Sequence, residues 1–278
     1  MLLKIAHRTE YQYDAPVPYA LQRLRLVPVS GPGQRVRNWS LHIDGAREEL
    51  RLRDHFDNET RLVSVEGAPH VIAIEARGEV ETRDTGGVLG PHRGVVPLWL
   101  FDQPTPLTAP GRAVRDLAAS AGQGDDIERL HRLAALTAGR IAYTPGATDV
   151  ETTAEQALAL GAGVCQDHSH TVIAAARLMG FPARYVSGYL LIEDTTEQTA
   201  THAWAEVHVP ALGWVGFDAP NGISPDERYV RVAVGRDYRD AMPLSGIRLG
   251  QSGERLAVGI TIEHHTAMDT GYSTEEAQ

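Results

Sequence analysis

A chain of 278 residues, 42% hydrophobic and 22% charged, has the composition of a folded protein and the length for one large or two ordinary domains. With 26 basic against 36 acidic residues its net charge is −10, which argues against a nucleic acid or an anionic membrane as the main partner. One cysteine excludes an intrachain disulfide; no stretch approaches a membrane span, and Met1 to Arg8 meets charge too early for a signal peptide, so the cytoplasm is the expected location.

From Lys4 to Val80 the chain carries short β-prone runs, such as 8–13, 39–43 and 71–76, separated by Gly, Asp, Asn and Pro clusters. An all-β, sandwich-like N-terminal domain over 1–105 is expected. Prolines at 91, 97, 104, 106 and 110 then break any periodic element and predict an extended crossing segment that holds the boundary. Ile127, Leu130, Leu133, Ala134 and Thr137 follow a helical rhythm behind Asp125 and Asp126. A second helix is predicted behind a capping box of Thr152 and Glu155, with Gly161 as its stop. A third begins near Cys165 and ends at Gly180-Phe181-Pro182; strands return with Tyr185–Leu191, where Gly188 marks a close approach. The second unit is placed at 106–265, followed by a polar, acidic, fraying tail at 266–278.

Cys165 directly follows Gly161-Ala162-Gly163-Val164 and opens a predicted helix. Backbone N–H groups there favour a thiolate and offer donors for an oxyanion, and the glycines allow close backbone approach. Residues 201–209 alternate strictly, with His202, Trp204, Glu206 and His208 on one face of a half-buried strand. Pro210–Gly213 is a turn, and Trp214–Asp218 a return strand. Register decides whether His202 meets Asp218. Pairing Pro210 with Gly213 turns Asp218 to the other face; pairing Val207 with Gly213, or an equivalent bulge, sets the two residues directly opposite.

The order Gly-Val-Cys-Gln-Asp (163–167), His-Ala-Trp-Ala-Glu-Val (202–207) and Gly-Trp-Val-Gly-Phe-Asp (213–218) resembles the core of the transglutaminase-like superfamily, across about 125–245. The strand-rich beginning resembles the N-terminal domain that accompanies this core in bacterial members. The resemblance implies an α+β, papain-like core with Cys165 as nucleophile, His202 as general base and later acid, and Asp218 as the residue that orients the imidazole. A thiol needs an adjacent base, and the base a third group to fix its tautomer. The activity implied is thiol-dependent acyl transfer or amide hydrolysis through a thioester on a peptide or glutaminyl-like amide, with an amine or water as acceptor, and with neither cofactor nor metal. Trp204, Gly163 and Trp214 are candidates for lining the substrate groove. A papain-type protease commonly holds a glutamine a few residues before its cysteine; here Gln156 is more distant, so the Cys165 N–H carries more of the oxyanion and a Trp or Tyr is the expected second donor.

Other readings are weaker. His168 and His170 are two apart on a helix and do not share a face for zinc; His168 instead marks a solvated helix start or supports the thiolate. His202, Glu206 and His208 form a remote metal alternative, and Ser169 lacks a GxSxG context. His264 and His265 are expected as a surface pair, and 177–184 as a helix end and strand start. A non-catalytic binding module on the same fold is the alternative from another class.

Overall fold

Alternation of Leu3, Ile5, His7 and Thr9 with Lys4 and Arg8 buries one face of the opening strand and wets the other. The computed structural model describes residues 1–278 except Glu66, Asp194, 250–252 and 265–278, so the tail expected at 266–278, and His265, lie outside them. The first third is β1 (Leu2–Tyr13), β2 (Tyr19–Val27), β3 (Gln34–Asp44), β4 (Ala46–Arg53), β5 (Glu59–Val65) and β6 (Val71–Thr82). Then come β7 (Val88–Gly90), α1 (Arg112–Ser120), α2 (Asp126–Arg140), β8 (Ala142–Tyr143), α3 (Ala154–Leu160), β9 (Ala162–Gly163) and α4 (Cys165–Leu178). The chain continues with β10 (Ala183–Leu190), β11 (Glu197–Gln198), β12 (His202–Val209), β13 (Gly213–Phe217), β14 (Tyr229–Gly235), α5 (Tyr238–Ala241), β15 (Leu244–Leu249) and β16 (Glu254–His264).

Two antiparallel sheets, ordered β11-β16-β1-β6-β3 and β15-β2-β5-β4, close over a core of Tyr13, Leu24, Leu26, Val63, Ile72 and Ile74. This is the expected β-rich beginning, with one difference in its extent. β15 and β16, placed by sequence within the 106–265 unit, pair with β2 and β1 instead. Both ends of the chain therefore build this layer. Lone strands cannot bury a face, and the edges of β1 and β2 supply the partners.

The third sheet runs β14-β10-β12-β13-β7. Its Ala203, Ala205 and Val207 face packs on Val172, Ile173 and Ala176 of α4, a helix buried on nearly all sides. The other face carries Trp204, Trp214 and Tyr229 against Phe56 and Phe101. β12 is thus buried on both faces and not on one, because Phe56 and the segment from Leu89 to Phe101 cover the side expected to be open. Two amides join the layers along the free edge of β14. Gln34 accepts from Arg231 N–H and donates to Arg231 C=O, and Asn58 does the same at Val234, all four bonds at 2.8 Å. They satisfy edge groups that burial would otherwise leave unpaired.

The helices follow their local signals with two exceptions. Asp125 caps α2 and Gly161 ends α3 in the left-handed region at φ 69°, as predicted. The capping box of α3 is Thr153 with Gln156, one residue later than expected. Glu155 turns away to accept from the N–H groups of Ala113 and Val114 at 2.8 and 3.1 Å, and so caps α1, a helix the proline-rich stretch conceals.

Gly213 has φ 79°, and a Cβ there would lie 2.0 Å from the Gly90 carbonyl where β7 crosses β13. A Gly213→Ala variant is expected to lose about 3 kcal/mol from combined backbone strain and overpacking, read as a lower urea midpoint. A loss below about 1 kcal/mol would contradict the crossing.

Candidate active site

Cys165 is the first residue of α4, as its glycine-rich approach predicts. Val164 has no side-chain acceptor, so Asp167 closes the helix start alone. Its Oδ2 accepts from Val164 N–H and from the Thr148 hydroxyl, each at 2.7 Å. Burial raises the Asp167 pKa, and those bonds oppose the rise. A Cβ on Gly163 would sit 2.7 Å from this carboxyl group, so the glycine makes room for Asp167. The parallel pairing of β8 with β9 sets Tyr143 beside Gly163. Tyr143 is 56% exposed, and burial followed by the charges of Cys165 and Asp218 raises its pKa. It is a member of the site that sequence reading left out.

β12 and β13 adopt neither register considered above. Val209 pairs with Gly213, Val207 with Val215 and Ala205 with Phe217, leaving the three-residue turn Pro210-Ala211-Leu212. Extended by one pair, this register sets Asp218 opposite Trp204, two residues from His202 but on its face, and the contact is diagonal. His202 Nε2 donates to Asp218 Oδ2 at 2.6 Å. The same oxygen accepts from Tyr229 O–H at 2.7 Å and from Asn221 Nδ2 at 2.8 Å, while Oδ1 is buried without a partner. Cys165 stands near enough to His202 to act on its pKa. Since Nε2 serves Asp218, Nδ1 is the nitrogen left for the thiol.

Burial by itself would lower the His202 pKa. Hydrogen bonds and charge from Asp218 and Cys165 outweigh it and push the value up to about 10. Burial would raise Asp218; His202, Asn221 and Tyr229 win and hold it below the ordinary carboxylate value. The Tyr229 phenol, buried and facing that carboxylate, titrates far above its usual range and stays a donor.

Most of the remaining candidates are buried. Trp204 is buried, stacked on His202 at 6.2 Å and packed against Gly188, whose missing Cβ would meet its ring at 2.7 Å. Trp214 is buried too, donating to His92 Nδ1 at 3.1 Å, so neither indole lines an open groove beside the thiol. Glu206 is buried and bonded to Arg184 at 2.6 Å; with His202 held by Asp218, the His202, Glu206, His208 metal set does not converge. His168 is buried, its nitrogens facing the carbonyls of Val164 and Ile141, rather than a solvated helix start. Ser169 donates to Cys165 C=O, and the fully buried His170 accepts from Tyr238 N–H.

Residues 115–219 match the transglutaminase-like superfamily, and residues 3–81 match the bacterial transglutaminase-like N-terminal region. An uncharacterized protein of Mycobacterium leprae is 30% identical, covering 94% of this chain and 98% of its own length. An uncharacterized protein of Mycobacterium tuberculosis is also 30% identical, covering 94% of this chain and 91% of its own length. Among solved structures, a provisionally assigned cysteine protease of Cytophaga hutchinsonii superposes with a TM-score of 0.74 at 21% identity, covering 96% of this chain and 92% of that one.

Proposed function

The chain belongs to the transglutaminase-like superfamily, and from that premise we propose that it is a cysteine acyltransferase or amidohydrolase acting on a peptide or glutaminyl-like amide. The observation that carries this reading is His202 held at 2.6 Å by Asp218 and standing beside Cys165, its pKa pushed up to about 10. A histidine that keeps its proton at neutral pH is a ready donor to the leaving nitrogen. In this reading the Cys165 sulfur attacks the amide carbon, and the N–H groups at the start of α4 receive the oxyanion. His202 protonates the departing amine or ammonia, and the C–N bond breaks to leave a thioester. It then takes a proton from the incoming amine or water as the new C–N or C–O bond forms, and the C–S bond breaks to return the Cys165 sulfur. Amine attack gives crosslinking; water attack gives deamidation or proteolysis. Exposed Tyr143 stands at the rim where substrate would arrive.

The test is acylation by p-nitrophenyl acetate followed by intact-mass measurement, with hydroxylamine added to compete with water. One acetyl group on Cys165 of the wild type, none in Cys165→Ala, and transfer to hydroxylamine are expected. An unmodified wild type would leave the fold as a binding module.

A further inference from the structure

On the face of the third sheet turned away from α4 lies a cavity of about 640 Å³, enclosed by the N-terminal loops, the segment after β7, and β10, β13 and β14. Its floor is unbalanced in charge. Buried Glu206 holds Arg184 at 2.6 Å and Arg231 at 3.6 Å, so one carboxylate serves two guanidinium groups. The acids on the opposite wall are already engaged: Asp54 with Arg25 and Asp57 with Arg53, both at 2.9 Å. Arg93 lines the same space and meets no acid among the described residues. A chain of net charge −10 therefore keeps about two uncompensated positive charges in one cavity. Burial lowers the Arg184 pKa; Glu206 opposes that and Arg231 adds to it, the behaviour of a cation pair short of one anion.

The rest of the wall is mixed, with apolar Pro91, Val95 and Phe56 beside polar Ser30 and His55. The Arg184 guanidinium lies 4.0 Å from the Trp214 ring, and Phe56 closes the other side. The walls are preformed, since Gln34 and Asn58 fix the loops to β14 from either end of the space.

We propose that this cavity binds a small organic carboxylate with an apolar body, its carboxylate on Arg231 and Arg93 and its body against Pro91, Val95 and the edge of Phe56. Planar guanidinium groups match carboxylates in bidentate geometry, and these side chains accept the apolar remainder. The site is separate from the thiol and does not depend on its chemistry.

Benzoate is the probe, titrated calorimetrically into wild type, Arg231→Gln, Arg93→Gln and Cys165→Ala at ionic strength matched with sodium chloride. Saturable binding is expected in the wild type and in Cys165→Ala, at least tenfold weaker in Arg231→Gln and about threefold weaker in Arg93→Gln. Arg231→Gln leaves Arg184 and Glu206 as a one-to-one pair, and the surface change at Arg93 provides a second variant that keeps the fold. No saturable heat in the wild type, or equal affinity in both arginine variants, would overturn the proposal.

Discussion

An Asp218→Ala variant acylates Cys165 at least about 100-fold more slowly than wild type, within the range by which positioned acid–base groups contribute. The substitution removes the acceptor of three donors at once: His202 Nε2, the Tyr229 hydroxyl and Asn221 Nδ2. The imidazole then loses both its orientation and the charge that keeps it protonated. Asp218→Asn separates the two contributions, because it keeps an acceptor but not the charge, and its rate falls between the other two. Stopped-flow p-nitrophenol release measures all three. The linked stability has a defined window. His202 is raised, so its contribution is complete below its ordinary value near 6.5 and is lost as pH rises through about 10. Asp218 is lowered, so its contribution is complete above its ordinary value near 3.8 and is lost as pH falls through the lowered one. An Asp218→Ala rate within threefold of wild type would remove Asp218 from the chemistry.

The largest expected loss of stability lies away from the thiol. Arg177, at the end of α4, donates through Nε to Phe101 C=O at 2.7 Å and through one terminal nitrogen to the Thr108 hydroxyl at 2.8 Å. Its other terminal nitrogen donates to the carbonyls of Ala183 and Arg236 at 2.8 and 2.7 Å. Burial lowers its pKa to about 10, with Asp237 opposing. One guanidinium thereby ties the proline-rich segment, β10 and the approach to α5 to the central helix. Arg177→Met keeps the apolar stem and strands these acceptors in a buried place, at a cost of about 3–5 kcal/mol. At about 2–4 °C per kcal/mol for a protein of this size, the melting temperature drops by roughly 10 °C. A melting temperature within 2 °C of wild type would contradict the account.

Local signals were legible where one residue decides the structure. Asp125 and Gly161 bound their helices because capping needs only a side-chain oxygen or a left-handed residue in the right place. The order of Cys165, His202 and Asp218 was legible through the family resemblance and hairpin parity. What escaped was set by tertiary contact. Glu155 satisfied a capping pattern on paper, yet α1, hidden behind prolines, took its carboxylate. Trp204 and Trp214 alternate as on a half-open strand, but Phe56 and the segment from Leu89 to Phe101 cover that face. The pairing of β16 with β1 spans nearly the whole chain, and nothing local to 254–264 announces it. Tyr229 and Asn221 hold Asp218 from residues that no motif marks.

The central claim, that Cys165 is activated by His202, is tested most directly by the pH dependence of Cys165 alkylation with iodoacetamide in wild type and His202→Ala. An ordinary thiol with a pKa near 8.5 is about 0.3% thiolate at pH 6, so a paired thiol reacts there roughly 100-fold faster than an unpaired one. The account predicts rapid wild-type alkylation at pH 6 and its loss, by about that factor, in His202→Ala. Equal and slow alkylation of both proteins from pH 5 to 8 would contradict it.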